Sequence, residues 1–135
     1  MNTDKNCTHL AGEYFVAAEL YKRGFSVAIT LGNAKSIDMY AEKNTSTVNV
    51  QVKAIKSKTS GGWPIQETQI KQNIVYVFVC LNAVSASPQY FICKSEEASK
   101  YVKQYKTRGI IQYSNLNSSD YENRWDKLDE LLGKL

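Results

Sequence analysis

The pattern of apolar and polar positions predicts a helix near the start of the chain. Residues 12–24 are rich in good helix formers, with Thr8 expected as the N-cap residue and Gly24 at the end of the helix. The apolar stripe that recurs at helical spacing consists of Phe15, Ala18, Leu20 and Tyr21.

Strands are predicted in the middle of the chain, where apolar residues alternate or run together. Residues 74–81, IVYVFVCL, form a near-continuous apolar run, which is typical of a strand buried on both faces at the centre of a sheet covered by helices. The other predicted strands are residues 25–31, 37–41, 48–54, 89–93 and 110–113. Residues 55–73 are polar and are expected to form a long loop.

Two further helices are predicted in the second half of the chain. The first covers residues 95–105 and begins with SEEA, a start that resembles a capping box. The second covers residues 118–132 and is amphipathic, with Trp125 interpreted as a core anchor. The succession of elements predicts a mixed sheet flanked by helices.

The strands at 37–41 and 48–54 are expected to form a hairpin that carries polar side chains on one face. If its turn centres on Asn44 and Thr45, Asp38 lies opposite Gln51, and directly opposed residues share a face. Lys53 is two positions from Gln51 and points the same way, whereas Val50 and Val52 face the core. A register slip of one residue would scatter this set.

Asp38, Gln51 and Lys53 suit phosphodiester chemistry if they converge. Carboxylate and amide oxygens are ligands for magnesium, and a lysine can orient water or stabilise charge on a phosphate. Glu13 could add a second carboxylate if the first helix packs across the hairpin. The alternative is that these residues form an ordinary solvated face.

A basic cluster follows directly in the chain. Lys56 and Lys58 could contact phosphates, and Trp63 could either stack on a base or serve a purely structural role. The net charge of +4 over 135 residues permits nucleic-acid binding without requiring it.

Several other chemistries are disfavoured by what the sequence lacks. His9 is the single histidine, which argues against His-metal nucleases and His-dependent triads. There is no P-loop, no GxGxxG, no secretory signal and no apolar run long enough for a membrane helix. Cys80 and Cys93 lie in apolar segments and are interpreted as buried, which fits a reduced, cytoplasmic setting.

The segments GEYFVAAELYKRGFSV, SIDMYAE and VNVQVKA resemble the PD-(D/E)XK nuclease superfamily over residues 10–54. They are most similar to the branch with a Gln-x-Lys third motif, which includes an intron-encoded homing endonuclease. Archaeal Holliday-junction resolvases have a related layout. The resemblance implies one restriction-endonuclease-like α/β domain over residues 1–135, with a mixed central β-sheet flanked by helices.

The resemblance also implies roles for individual residues. Glu13 matches the helical acid, Asp38 the metal-binding acid, and Gln51 and Lys53 the third motif, so Glu13, Asp38 and Gln51 would hold Mg²⁺, or Mn²⁺ in its place. Ile37 stands where the motif name has proline, and Gln51 replaces the usual acid, which removes one negative charge. Glu19 is a competing helical acid that faces another way.

The expected function is therefore metal-dependent endonucleolytic hydrolysis of DNA, and by analogy with this fold a homodimer could cut both strands. One alternative is a non-catalytic nucleic-acid-binding or complex-forming module on the same fold, which the amide of Gln51 and the modest charge favour. Another is an unrelated soluble interaction protein. Metal dependence separates the first reading from the second, and salt-dependent DNA binding separates both from the third.

Overall fold

The computed structural model describes residues 3–34 and 36–133, with the backbone alone for residues 3 and 4. Four helices and eight strands follow one another in the order α1 (Thr3–Lys22), β1 (Ser26–Ile29), β2 (Met39–Lys43), β3 (Ser46–Ile55), β4 (Gly62–Pro64), β5 (Ile74–Cys80), β6 (Gln89–Cys93), α2 (Ser95–Tyr101), β7 (Lys103–Gln104), β8 (Gly109–Gln112), α3 (Tyr113–Leu116) and α4 (Asp126–Leu132) within these ranges. Short 3-10 helices at Lys58–Ser60 and Glu67–Gln69 lie on either side of β4.

The central sheet has five strands in the order β1-β2-β3-β5-β6. Strands β3 and β5 are parallel, and the other neighbouring pairs are antiparallel. A smaller antiparallel sheet has the order β4-β8-β7. The predicted α/β architecture, a mixed central sheet flanked by helices, is confirmed.

The β2–β3 hairpin has the predicted turn. Asn44 and Thr45 both have positive φ, 54° and 65°, as the two central residues of a type I′ turn require. This turn sets the register, in which Met39 pairs with Val50. Continued by one residue, the register brings Asp38 opposite Gln51, as predicted.

The apolar core lies on both faces of the central sheet. On one face Val50, Val52 and Val77 pack with Val16 and Leu20 of α1. On the other face, Tyr76 and Phe78 of β5 pack with residues of the small sheet and the helices beyond it, including Trp63, Ile111 and Leu116. All seven residues of β5 are buried, which confirms the prediction of a strand covered on both faces.

Helix α1 corrects two predictions. It begins at Thr3, so Thr8 lies inside the helix and is not its N-cap. The predicted apolar stripe holds only at Leu20, which is buried; Phe15 and Tyr21 are 44% and 57% exposed. The face that packs on the sheet instead includes Gly12, Glu13 and Val16, which are buried.

The predicted helix over residues 118–132 is formed only from Asp126 onward. The residues before it form turns and bond to β6, since Ile92 N–H donates to the Tyr121 carbonyl and Asn123 N–H donates to the Tyr90 carbonyl. Trp125 is 4% exposed, which confirms it as a core anchor. Helix 95–105 ends early at Tyr101, and the predicted loop at 55–73 contains β4.

None of the helices in the described part of the chain combines the length and the apolar character that crossing a bilayer requires.

Candidate metal centre

Helix α1 approaches β3 more closely at Gly12 than any side chain would permit. A Cβ on Gly12 would lie 2.6 Å from Ala54 Cβ and 3.5 Å from Val52 Cγ1. Real Cβ atoms essentially never come this close, so glycine is what allows the helix to rest on the strand. The next residue, Glu13, is thereby carried into the protein and is 5% exposed.

Asp38 lies immediately before β2, next to the part of β3 that extends beyond its pairing with β2. Its N–H donates to the Val50 carbonyl at 2.9 Å, and its own carbonyl accepts the Thr30 N–H at 2.9 Å. Its carboxylate Oδ2 accepts the N–H of Val52 at 2.8 Å, which satisfies the open edge of β3. Both the backbone and the side chain of Asp38 are therefore held by neighbouring strands.

The carboxylates of Glu13 and Asp38 meet at this edge together with the imidazole of His9. One ligand atom from each of the three residues lies within 4.8 Å of the others. His9 Nε2 contacts Glu13 Oε2 at 2.5 Å, one helical turn away on α1. The Glu13 side chain is 6% exposed and that of His9 is 46% exposed, so the cluster opens to solvent on the histidine side.

The pKa of the Glu13 carboxyl is raised above its ordinary value of 4.5. Burial is the largest cause, and the nearby charge of Asp38 acts in the same direction, whereas His9 opposes both. Two carboxylates held close together in a buried place repel each other unless a positive charge stands between or beside them. A cation bound beside the two carboxylates would reduce this repulsion.

Gln51 lies opposite Asp38 and carries a buried acceptor without a partner. Its side-chain Oε1 is shielded from solvent and accepts no hydrogen bond from any described residue. A buried polar atom without a partner costs free energy, on the order of 1–3 kcal/mol. Carboxylate and amide oxygens are the ligand types that suit a hard divalent cation such as Mg²⁺, so the chemistry of these residues fits a metal.

Lys53 extends from the same face of β3 as Gln51, two residues further along the strand. Both side chains are partly buried, and the valines between and before them are buried in the core, as predicted. Lys56 and Lys58 follow on the exposed segment beyond the strand. The alternative helical acid, Glu19, is instead engaged with Arg23 at 2.6 Å.

The prediction that Trp63 contacts nucleic acid is corrected. Its ring is fully buried, its indole N–H donates to the Val79 carbonyl at 2.9 Å, and it packs against Phe78, Phe91 and Tyr113. A buried ring cannot stack on a base. The structural alternative for Trp63 therefore holds.

His9 is the residue of this cluster that the sequence interpretation missed. The single histidine was set aside because no second histidine accompanies it. Its spacing carried the signal, because residues four apart on a helix face the same way. Because α1 begins at Thr3, His9 lies within the helix and shares a face with Glu13.

No protein-family profile and no curated protein matches this chain. Among solved structures, the chain resembles that of a bacterial homing endonuclease, I-Ssp6803I, with a TM-score of 0.63 and 14% sequence identity. The superposition covers 94% of this chain and 92% of that chain. The two proteins thus share a fold over nearly their whole lengths.

Proposed function

We propose that this protein is a divalent-metal-dependent endonuclease of the PD-(D/E)XK type that hydrolyses phosphodiester bonds in DNA. One observation carries the proposal: the carboxylates of Glu13 and Asp38 come within 4.8 Å of each other, and Gln51, opposite Asp38 in the strand register, has a buried side-chain oxygen with no partner among the described residues. The fold shared with a homing endonuclease supports it.

Glu13, Asp38 and Gln51 would hold Mg²⁺ or Mn²⁺. A bound divalent cation supplies Lewis-acid chemistry, lowering the pKa of a water molecule and polarising a phosphoryl oxygen. Lys53, on the same strand face as Gln51, would stabilise negative charge on the phosphate and orient the attacking water. Asp38 would be held in place for this task by its bond to the Val52 N–H.

The contact between His9 and Glu13 bears on cation binding, because His9 Nε2 lies 2.5 Å from Oε2 of the Glu13 carboxylate. Cation binding then requires this contact to loosen or His9 to join the ligand set. Together with the uncharged amide at position 51, this contact favours a second candidate, a non-catalytic DNA-binding module on the same fold.

The two candidates differ in the outcome of a cleavage assay. Plasmid, single-stranded and four-way-junction DNA would be incubated with the wild-type protein in Mg²⁺, in Mn²⁺ and in EDTA, and compared with Asp38→Ala and Lys53→Ala. The proposal predicts metal-dependent cutting that falls at least about 100-fold in both variants. Glu19→Gln is the matched control, because this acid lies on the same helix and is paired with Arg23.

Intact DNA at every metal concentration, with binding retained, would reject the endonuclease and leave the non-catalytic module. Equal cutting by the wild type and Asp38→Ala would show that the activity belongs to another site or to a contaminant. Asp38→Ala also removes the cap on the Val52 N–H, so its thermal unfolding must be measured alongside. Lys53→Ala carries no such structural role in the described hydrogen bonds.

A further inference from the structure

The β7–β8 hairpin is a strongly basic part of the chain, and the proposed metal site does not use it. Residues 98–119 contain four basic side chains and no acidic one, whereas the whole chain has a net charge of +4. The four are Lys100, Lys103, Lys106 and Arg108. The hairpin tip, residues 105–108, is exposed throughout. Lys103, Lys106 and Arg108 make no ion pair with the carboxylates that the structure describes.

The hairpin is held rigidly against its neighbours. Tyr105 N–H donates to the Arg108 carbonyl at 2.7 Å and closes the turn. Gln104 accepts the Glu67 N–H at 2.9 Å and donates to the Arg108 carbonyl at 3.0 Å. A Cβ on Gly109 would lie 2.3 Å from the Ile65 carbonyl oxygen, so β8 rests directly on the chain beside it. A basic tip on a preorganised support loses little conformational entropy when it binds a ligand.

A cavity of about 570 Å³ lies between this hairpin and the segment that follows β4. Tyr105, Thr107, Arg108 and Gln112 of the hairpin line the cavity, together with Gln66 and Gln69 of the segment after β4. No acidic side chain lines it. Arginine and glutamine are the side chains that form paired hydrogen bonds with guanine and adenine edges, respectively.

A second cavity shares one lining residue with the first. It has a volume of about 400 Å³, and Pro64 lines both cavities. Its remaining lining includes Lys5 and Thr8 of α1 and Ala54 and Lys56 at the end of β3. Thr8 adjoins His9 and Ala54 adjoins Lys53 in the chain.

We propose that the β7–β8 hairpin enters a groove of double-stranded DNA and holds the duplex while one strand lies at the metal cluster. This inference rests on the proposed function and names its substrate as duplex DNA. Lys106 would contact phosphate, and Arg108 would reach base edges. A two-stranded ribbon fits the major groove of B-form DNA, about 12 Å wide.

Duplex DNA is favoured over other nucleic acids by the shape and composition of this surface. The major groove of A-form RNA is too deep and narrow to admit a ribbon. Proteins that bind single strands stack successive bases on several exposed aromatic rings. Tyr105, 51% exposed, is the one aromatic side chain at the hairpin tip, and Trp63 is buried.

The test is fluorescence anisotropy in EDTA with a labelled 40-base-pair DNA duplex, the matching single strand and the matching RNA duplex, over a range of salt concentrations. The double variant Lys106→Ala/Arg108→Ala removes one phosphate contact and one base contact, so it should lower the slope of log K against log salt by roughly 1 and the affinity at least about tenfold. Lys22→Ala is the matched control, since it removes an exposed lysine from α1.

Binding by the double variant that equals that of Lys22→Ala would overturn the proposal. So would tighter binding of the single strand or the RNA duplex, or no DNA binding by the wild type. Because EDTA prevents cleavage, the result is independent of activity. DNA binding that depends on the hairpin, without metal-dependent cutting, would reject only the proposed endonuclease activity. Metal-dependent cutting, with normal DNA binding by the double variant, would reject only the proposed role of the hairpin.

Discussion

Replacing Gly12 by alanine tests how α1 delivers Glu13 to the site. The added methyl would lie 2.6 Å from Ala54 Cβ, whereas carbon atoms in contact are about 3.5–4.0 Å apart. The helix must therefore move from β3 by about 1 Å, and Glu13 moves with it. A shift of that size at a catalytic group can lower turnover about 100-fold.

The expected change in stability is smaller than the change in activity. Alanine is favoured over glycine inside a helix by about 1 kcal/mol, and overpacking a well-filled contact costs about 1–3 kcal/mol. The net effect of Gly12→Ala on the free energy of unfolding is therefore a loss of roughly 0–2 kcal/mol. Mn²⁺ affinity and DNA cleavage should fall well beyond what this loss would explain.

Ala54→Gly supplies the rescue, because it removes the methyl that the new side chain would meet. Urea unfolding and single-turnover cleavage would be measured for both single variants and for the double variant Gly12→Ala/Ala54→Gly. The double variant should recover activity, and its stability should exceed the sum of the single effects by about 1–3 kcal/mol. Gly133→Ala is the control, since its Cβ would meet nothing nearer than 3.6 Å.

The reasoning fails if Gly12→Ala binds Mn²⁺ and cuts DNA as the wild type does. It also fails if Ala54→Gly leaves the defect of Gly12→Ala unchanged, because the close contact would then not be what positions Glu13.

Three further predictions concern stability. The raised pKa of Glu13 means that the folded protein holds this proton more tightly than the unfolded chain, so stability is lost as pH rises above about 4.5. Glu13→Gln should therefore raise the Tm of the metal-free protein at pH 7 and leave it unchanged near pH 4; a lower Tm at pH 7 would contradict this. Trp63→Phe leaves the Val79 carbonyl without its donor and should cost about 1–3 kcal/mol in urea unfolding without altering DNA affinity. Lys127 bonds to Glu97 at 3.0 Å and is 4% exposed, so Lys127→Met should cost about 2–4 kcal/mol in the same assay, and an unchanged midpoint would refute its structural role.

The central sheet was predictable because its signals are local. The run at residues 74–81 allowed no exposed face, and the two-residue turn at Asn44 and Thr45 fixed the pairing of Asp38 with Gln51. A turn of two residues leaves the register no freedom. The placement of Asp38 opposite Gln51 in the candidate site could therefore be predicted from the two strands and the turn between them.

The orientation of α1 was not predictable from its apolar pattern. Phe15 and Tyr21 are larger than Val16 and Ala17, so a hydrophobicity criterion chooses the wrong stripe. The buried face was decided by fit, because Gly12 permits close packing and large rings do not. The burial of Glu13 likewise cannot be predicted by a criterion that treats every charged residue as exposed.

The C-terminal region differed for a tertiary reason. Residues 118–123 have a pattern compatible with a helix, but the edge of β6 offers unpaired backbone groups that bond to Tyr121 and Asn123. Pairing with a strand edge satisfies backbone N–H and C=O groups that a helix would otherwise satisfy. The local sequence does not show that such an edge lies nearby. Trp63 was ambiguous for a similar reason, because β4 belongs to a sheet completed by a segment far along the chain.

The most direct test of the proposed metal centre is Mn²⁺ binding measured by isothermal titration calorimetry with wild type, Asp38→Asn, Glu13→Gln and Glu19→Gln. The account predicts one site in the wild type, an affinity at least about tenfold lower in Asp38→Asn and Glu13→Gln, and no change in Glu19→Gln. No binding by the wild type, or equal affinity in all four proteins, would contradict it.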